Sequence, residues 1–126
     1  MKFLNIIFIF FAILFSGCSQ NEISAENLKK IEIDISLLDE EGLRGSERNK
    51  VSISYEFCIP EKPEFREEVK KIDSTVVFMP GSRGRIGAKE GECLCVGNTH
   101  QKEFRKVLQS LASLSYIERI IECHFE

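Results

Sequence analysis

The stretch VSISYEFCI, residues 51–59, decides the fold of this chain. Apolar and polar side chains alternate along its whole length. The apolar set falls on one face: Val51, Ile53, Tyr55, Phe57 and Ile59. Alternation with a period of two predicts a β-strand that buries one face and leaves the other more open. Pro60 follows directly and ends the strand, because proline cannot donate to a sheet ladder.

Further elements are predicted on the C-terminal side of this strand. Residues 64–72 carry apolar side chains at helical spacing, and Pro63 suits the first turn of such a helix. Asn98 and Gln101 resemble a capping box at the start of a second helix. The remaining predicted elements are a strand at 75–79, a glycine-rich loop at 81–91, a strand at 92–96, a helix at 100–115 and a strand at 117–125.

From residue 51 onward the predicted order is βαββαβ, which is similar to the ferredoxin-like plan. This resemblance implies an antiparallel sheet with the strands in the order fourth, first, third, second, and with both helices on one face. Alternation in IEIDISL, residues 31–37, predicts an additional N-terminal strand. That strand should cover an edge, since both sides of the 51–59 strand are taken. We therefore expect an α+β fold with one domain over residues 31–126.

The first twenty residues, MKFLNIIFIFFAILFSGCSQ, have the order of a secretory signal. Lys2 precedes an apolar run over residues 3–15, which is shorter than the ~20 residues of a typical transmembrane helix. The segment LFSGC, residues 14–18, resembles the lipobox of bacterial lipoproteins, although Phe15 stands where that family prefers leucine. The resemblance implies cleavage after residue 17 and lipidation of Cys18, with acyl chains such as palmitate anchoring the protein in a membrane.

These features predict a signal peptide at 1–17, a lipidated flexible tether at 18–30 and a protein of the bacterial cell envelope. Ser19 rather than aspartate follows the cysteine, which favours the outer membrane if the organism is Gram-negative. Removing residues 1–17 takes away one lysine and no acidic residue, so the formal charge changes from −3 to −4. A mildly acidic chain of this kind argues against nucleic acid as a partner.

Four cysteines follow Cys18 in the sequence: Cys58, Cys93, Cys95 and Cys123. An even number in an exported chain suggests disulfides. Cys58 ends one strand while Cys93 and Cys95 open its predicted neighbour, so we expect all three on the open face of the sheet. A disulfide from Cys58 to either Cys93 or Cys95 is then expected, with Cys123 at the far end of the sheet. The same four thiols support an alternative function, metal binding or thiol redox chemistry.

Arg83 and Arg85, in the segment GSRGRIG, are candidates for binding an anion or a partner protein. Arginine forks suit phosphate or carboxylate, and glycines allow backbone amides to approach. The spacing is not that of a Walker loop. If His100 and His124 lie near each other and near Cys123, the three would form an incomplete zinc site. The alternative interpretation, which we favour, is two exposed histidines at a helix start and a strand end.

No pattern predicts a catalytic nucleophile and base, a metal site or a cofactor. A small hydrolase is therefore the least favoured function. The leading prediction is a membrane-anchored, non-catalytic binding domain whose partner is an unidentified protein of the cell envelope.

Overall fold

The structure is a computed structural model that describes residues 24–124. Cys18 and the predicted signal peptide lie outside the described residues. The helices are α1 Ala25–Leu28, α2 Pro63–Ile72 and α3 Phe104–Ser113, with a short 3₁₀ helix at Ile35–Leu37. The strands are β1 Ile31–Glu32, β2 Leu43–Arg44, β3 Val51–Ser52, β4 Ser54–Pro60, β5 Val77–Pro80, β6 Glu92–Asn98 and β7 Ile120–Cys123.

Five of these strands form one sheet in the order β1-β7-β4-β6-β5, and β2 pairs with β3 in a separate two-stranded sheet. The central strand β4 is antiparallel to both β6 and β7, and β5 is antiparallel to β6. The architecture is therefore α+β, as predicted, and the additional N-terminal strand does lie at an edge. β1 runs parallel to β7, an orientation that the sequence did not predict, so the five-stranded sheet as a whole is mixed.

β1 is much shorter than the predicted strand at 31–37. The Asp34 side chain accepts a hydrogen bond from the backbone N–H of Ser36 at 3.1 Å and begins the 3₁₀ helix there. Local bonds of this type compete with a sheet ladder for the backbone. Ile33 is nevertheless buried and packs in the core, so the apolar residues of this segment serve the core without extending the strand.

Both long helices pack on the same face of the sheet. Tyr55, Phe57 and Ile59 on β4 are fully buried, and they belong to one core cluster with residues of α2 and α3. The helix residues of that cluster are Val69, Phe104, Leu108, Leu111 and Ala112. The alternation in residues 51–59 therefore places the core on the correct side of β4. The opposite face of the sheet carries no helix within the described residues.

The domain begins earlier than predicted, because residues near the end of the expected tether at 18–30 belong to the fold. Helix α1 packs against α3, and the Lys30 carbonyl accepts a hydrogen bond from the N–H of Ile120 at 2.8 Å. The Lys30 ammonium group also donates to the carbonyl of Leu114 at 3.3 Å. Within residues 24–124 no helix has the length and apolar character required to cross a membrane.

A buried polar cluster joins β4, the end of α2 and the segment before α3. The Tyr55 hydroxyl donates to the fully buried carboxylate of Asp73, and the Gln101 side-chain amide donates to the same carboxylate at 3.1 Å. Gly97 lies opposite Tyr55, and a Cβ at Gly97 would come within 2.5 Å of the Tyr55 ring. Glycine at this position is therefore required for the ring to reach Asp73.

The prediction of a capping box at Asn98 and Gln101 is wrong, and the buried polar cluster explains why. The Gln101 side chain is occupied by Asp73 and Tyr55 rather than by the start of a helix. The helix instead begins at Phe104, after Glu103 in the left-handed conformation at φ 56°. No side chain caps this helix start.

Candidate functional site

The candidate site is the sheet face opposite the helices, which we call the open face. Residues paired directly across neighbouring strands share a face. Glu56 of β4 pairs with Val96 and Ile121, and Val96 pairs with Val77 of β5. By the same register the open face also contains Ser54, Cys58, Met79, Leu94 and Cys123.

Residues 81–91 cross this face, and we call them the crossing loop. The backbone N–H of Ile86 donates to Glu56 Oε1 at 2.6 Å, and Glu56 is only 2 % exposed. Gly84 lies so close to Leu94 that a Cβ there would come within 2.8 Å of Leu94 Cδ2. Its φ of +60° also favours glycine. Gly84 of the predicted glycine-rich loop therefore lets the chain lie close against the sheet.

A cavity of about 400 Å³ opens between the crossing loop and the turn before β7, with Cys58 in its wall. Burial, followed by the nearby Glu92 carboxylate, raises the pKa of the Cys58 thiol to about 11. A thiol with such a pKa is almost entirely protonated near neutral pH, whereas the thiolate is the nucleophile and the metal ligand. The other residues that line the cavity are Ile86, Gly87, Lys89, Glu92, Tyr116, Glu118 and Arg119.

The prediction that Cys58, Cys93 and Cys95 share the open face is wrong. Phe57 pairs with Cys95 and Ile59 pairs with Cys93, so both of these cysteines are buried on the helix face. Cys58 points to the other side and pairs with Leu94. The expected disulfide from Cys58 to Cys93 or Cys95 is not formed, and all four of these later cysteines, Cys123 included, are free. Burial also raises the pKa of Cys93 and of Cys95.

Cys123 lies at the far end of the open face, opposite Ser54. Burial and then a hydrogen bond with Glu56 raise the pKa of this thiol, while Arg85 acts in the opposite direction. The four thiols therefore lie on two faces of the sheet rather than around one centre.

The two histidines have separate neighbours. His100 Nδ1 lies 3.2 Å from the Glu41 carbonyl oxygen, and His124 Nδ1 lies 3.7 Å from the Glu122 carboxylate. Among residues 24–124 no group of three histidine, cysteine, aspartate or glutamate side chains is arranged to hold a metal ion.

Arg83 and Arg85 are both exposed, but they lie toward different edges of the open face. Arg83 lines a depression of about 460 Å³ beside Pro80 at the end of β5. Arg85 instead lies near Cys123 of β7, where its positive charge works to lower the pKa of the thiol. Three carboxylates line the depression beside Arg83, at Glu61, Glu90 and Glu92, so the arginines do not form a joint site for a small anion.

Val77 and Met79 on β5 are the residues of the open face that the sequence interpretation missed. They are 60 % and 43 % exposed, although both are apolar and extended in a sheet. The signal was present in residues 75–79, where valine, phenylalanine and methionine leave neither face of the strand polar. An edge strand with two apolar faces exposes one of them whenever helices cover only one side of the sheet.

The open face thus combines exposed apolar side chains, a buried carboxylate and thiols with raised pKa values. No protein-family model matches the chain, and no curated protein or solved structure matches it significantly.

Proposed function

We propose that this protein is a lipid-anchored, non-catalytic binding domain of the bacterial cell envelope that holds a protein partner on its open face. The LFSGC segment supports lipidation at Cys18, and the envelope location follows from that anchor. Several acyl chains, each contributing about 0.8 kcal/mol per buried methylene, make such an anchor effectively permanent. The domain then needs no membrane-binding surface of its own.

We also infer that the domain follows the ferredoxin-like plan, with β1 added at one edge. The strand order β7-β4-β6-β5 and the placement of α2 and α3 in the chain support this inference. In such a plan the helices bury one sheet face, and the other is available to a partner.

The exposure of Val77 and Met79 on the open face is the observation that carries the proposed binding function. Isolated apolar side chains on a surface are common. Here, however, the two share one strand and one face, and Val96 lies beside Val77 in the next strand. Exposed apolar side chains that lie together, rather than scattered singly, favour an interaction at this face. A protein partner would remove this surface from water.

Site-specific photo-crosslinking in native membranes tests the function. A photoreactive amino acid is placed at Val77 of the full-length protein, and at Glu67, which is exposed on helix α2, as the matched control. We expect a covalent adduct with another protein from position 77 and little or none from position 67. Equal adduct yields from the two positions, or no protein adduct from either, contradict the assignment of the open face.

The lipid anchor needs a separate test. Globomycin, which blocks the lipoprotein signal peptidase, should cause an uncleaved precursor to accumulate, and Cys18→Ser should abolish lipid attachment. Normal processing in the presence of globomycin would show that Cys18 is not lipidated. This result would leave the open face untouched as a binding surface, so the two parts of the proposal fail independently.

A further inference from the structure

We propose that the crossing loop is an autoinhibitory strap, which closes part of the open face in the free protein and lifts from the sheet when a partner binds. This inference rests on the proposed binding function and adds its regulation. The residues that the loop covers are Glu56 and Leu94. Each is only 2 % exposed, although both lie on the sheet face that carries no helix within the described residues.

The crossing loop narrows the apolar part of the open face. Leu94 of β6 pairs with Met79 of β5, so the two side chains are neighbours on this face. Met79 is 43 % exposed, whereas Leu94 is covered where Gly84 of the loop passes over it. A partner seated on Met79 therefore meets the loop beside it. Lifting the loop would extend the accessible apolar surface from β5 to β6.

The loop lies on the sheet with open space on either side. Its contacts with the sheet include the hydrogen bond from the Ile86 N–H to Glu56 at 2.6 Å and the packing of Gly84 against Leu94. The cavity of about 400 Å³ separates the loop from the turn before β7, and the depression of about 460 Å³ lies between the loop and the end of β5. A segment flanked by such spaces loses few packing contacts when it moves, which is typical of elements that open locally.

The crossing loop has a compact centre between two glycine hinges. The N–H groups of Gly87 and Ala88 both donate to the carbonyl oxygen of Arg83, at 3.1 and 2.8 Å, and these bonds are retained when the centre lifts as a unit. Gly81 and Gly91 flank this turn with φ of +80° and +83°. A Cβ at either hinge would meet no described atom within 4 Å. Because glycine moves between left-handed and other conformations without a steric cost, the backbone can rotate at both positions.

The loop and the partner are coupled because they compete for the same part of the face. If only a fraction of the molecules has the loop lifted, the apparent dissociation constant is the intrinsic one divided by that fraction. Lifting breaks the hydrogen bond between Ile86 and the Glu56 carboxylate, so the closed form predominates in the free protein. A change that destabilises the closed form alone should therefore tighten binding of the partner.

Gly84→Ala destabilises the closed form without altering the sheet. Its Cβ would lie within 2.8 Å of Leu94 Cδ2, and this clash is relieved when the loop lifts. Gly87→Ala is the matched control, because it places the same side chain in a left-handed conformation of the same turn, at φ +78°. Its Cβ meets no described atom within 4 Å. Glu56→Ala releases the loop from the side of the sheet and provides a second, independent variant.

Two measurements are made on each full-length variant. Amide hydrogen exchange at Ile86 reports lifting of the loop. Titration of protein carrying the photoreactive amino acid at Val77 into detergent-solubilised envelope proteins reports binding, as the concentration that gives half the maximal adduct. We expect Gly84→Ala and Glu56→Ala to accelerate the exchange at least about tenfold and to lower the half-maximal concentration about tenfold. Gly87→Ala should leave both quantities nearly unchanged.

The outcomes separate this inference from the proposed function. Unchanged Ile86 exchange in Gly84→Ala shows that the loop is not released and overturns the inference. Faster exchange with equal or weaker binding also overturns it, because the loop then does not oppose the partner, while the open face remains a binding surface. Absence of a protein adduct from every variant overturns both. Circular dichroism establishes that each variant retains its fold, and if Gly84→Ala does not fold, Glu56→Ala decides by the same two measurements.

Discussion

Replacing Glu56 by alanine should release the crossing loop from the sheet. The Glu56 carboxylate accepts the Ile86 N–H at 2.6 Å from a position that is 2 % exposed. With alanine at position 56 this N–H loses its only hydrogen-bond acceptor in the described part of the chain. Other contacts of the loop remain, among them the packing of Gly84 on Leu94 and the hydrogen bond from the Lys89 N–H to Glu92.

The size of the effect follows from the bond that is removed. A buried hydrogen bond to a charged group contributes about 1.5–3 kcal/mol. Leu94 is almost fully buried and gains exposure if the loop lifts, which adds up to about 1 kcal/mol when part of its surface meets water. We therefore expect Glu56→Ala to lower the free energy of unfolding by about 2–4 kcal/mol. Glu56→Gln keeps an acceptor oxygen and should cost about 1 kcal/mol or less.

Amide hydrogen exchange at Ile86 and urea unfolding measure the two consequences. Exchange at Ile86 should accelerate by about 10- to 100-fold in Glu56→Ala, since each 1.4 kcal/mol corresponds to a factor of ten. Glu92→Ala is the matched control, because Glu92 accepts the exposed N–H of Lys89 at 2.9 Å in the same loop. Its effect should be confined to Lys89. Equal Ile86 exchange in the unaltered protein and in Glu56→Ala would refute the anchoring of the loop by Glu56.

Further predictions concern the core and the thiols. Tyr55→Phe removes the hydroxyl that donates to Asp73 and should lower stability by about 1–3 kcal/mol in urea unfolding, so an unchanged midpoint would contradict the buried cluster. Gly97→Ala forces a Cβ within 2.5 Å of the Tyr55 ring and should lower the melting temperature, at a cost of about 1–3 kcal/mol; an unshifted melting curve would show that the ring can move away. The pKa of Cys58 is raised from 9.0 to about 11, so the folded state retains a proton that the unfolded state releases. The contribution of Cys58 to stability should therefore be constant below pH 9 and fall between pH 9 and about 11. Cys58→Ser should remove this part of the decline and leave the part that comes from the raised pKa values of Cys93, Cys95 and Cys123. Alkylation of unreduced, denatured protein followed by mass spectrometry should label Cys58, Cys93, Cys95 and Cys123, whereas two unlabelled cysteines would indicate a disulfide.

The burial pattern of β4 could be predicted because it depends on one strand alone. Alternation places Ile53, Tyr55, Phe57 and Ile59 on one face, and the structure buries all four. Val51 continues the same alternation but is 54 % exposed. Val51 belongs to β3, which pairs with β2 outside the main sheet. Nothing in the sequence of residues 51–59 indicates that the pairing strand changes between β3 and β4.

The face occupied by Cys93 and Cys95 could not be predicted from their position in a strand. Shifting the register by one residue moves every side chain of a strand to the opposite face. The pairing of Phe57 with Cys95 sets that register, and it depends on the loop length and packing between two distant strands. Without this register, the expected disulfide from Cys58 to Cys93 or Cys95 could not be excluded.

The site itself depends on tertiary contacts that are invisible in the sequence. Glu56 has the pattern of an exposed strand residue, and only the crossing loop buries it. Val77 has the pattern of a core residue, and it is exposed because the loop and the helices leave β5 uncovered. The sequence indicated the importance of the loop through its glycines and arginines, but not where the loop lies.

Oxidation of Met79 tests the assignment of the open face as the binding surface most directly. The chain has two methionines, Met1 and Met79, so sulfoxide formation within residues 24–124 reports on Met79 alone. Peroxide readily oxidises exposed methionine. We predict that Met79 in native membranes is oxidised about tenfold more slowly than in the purified protein, because a partner covers it. Equal rates in the two preparations would contradict the account.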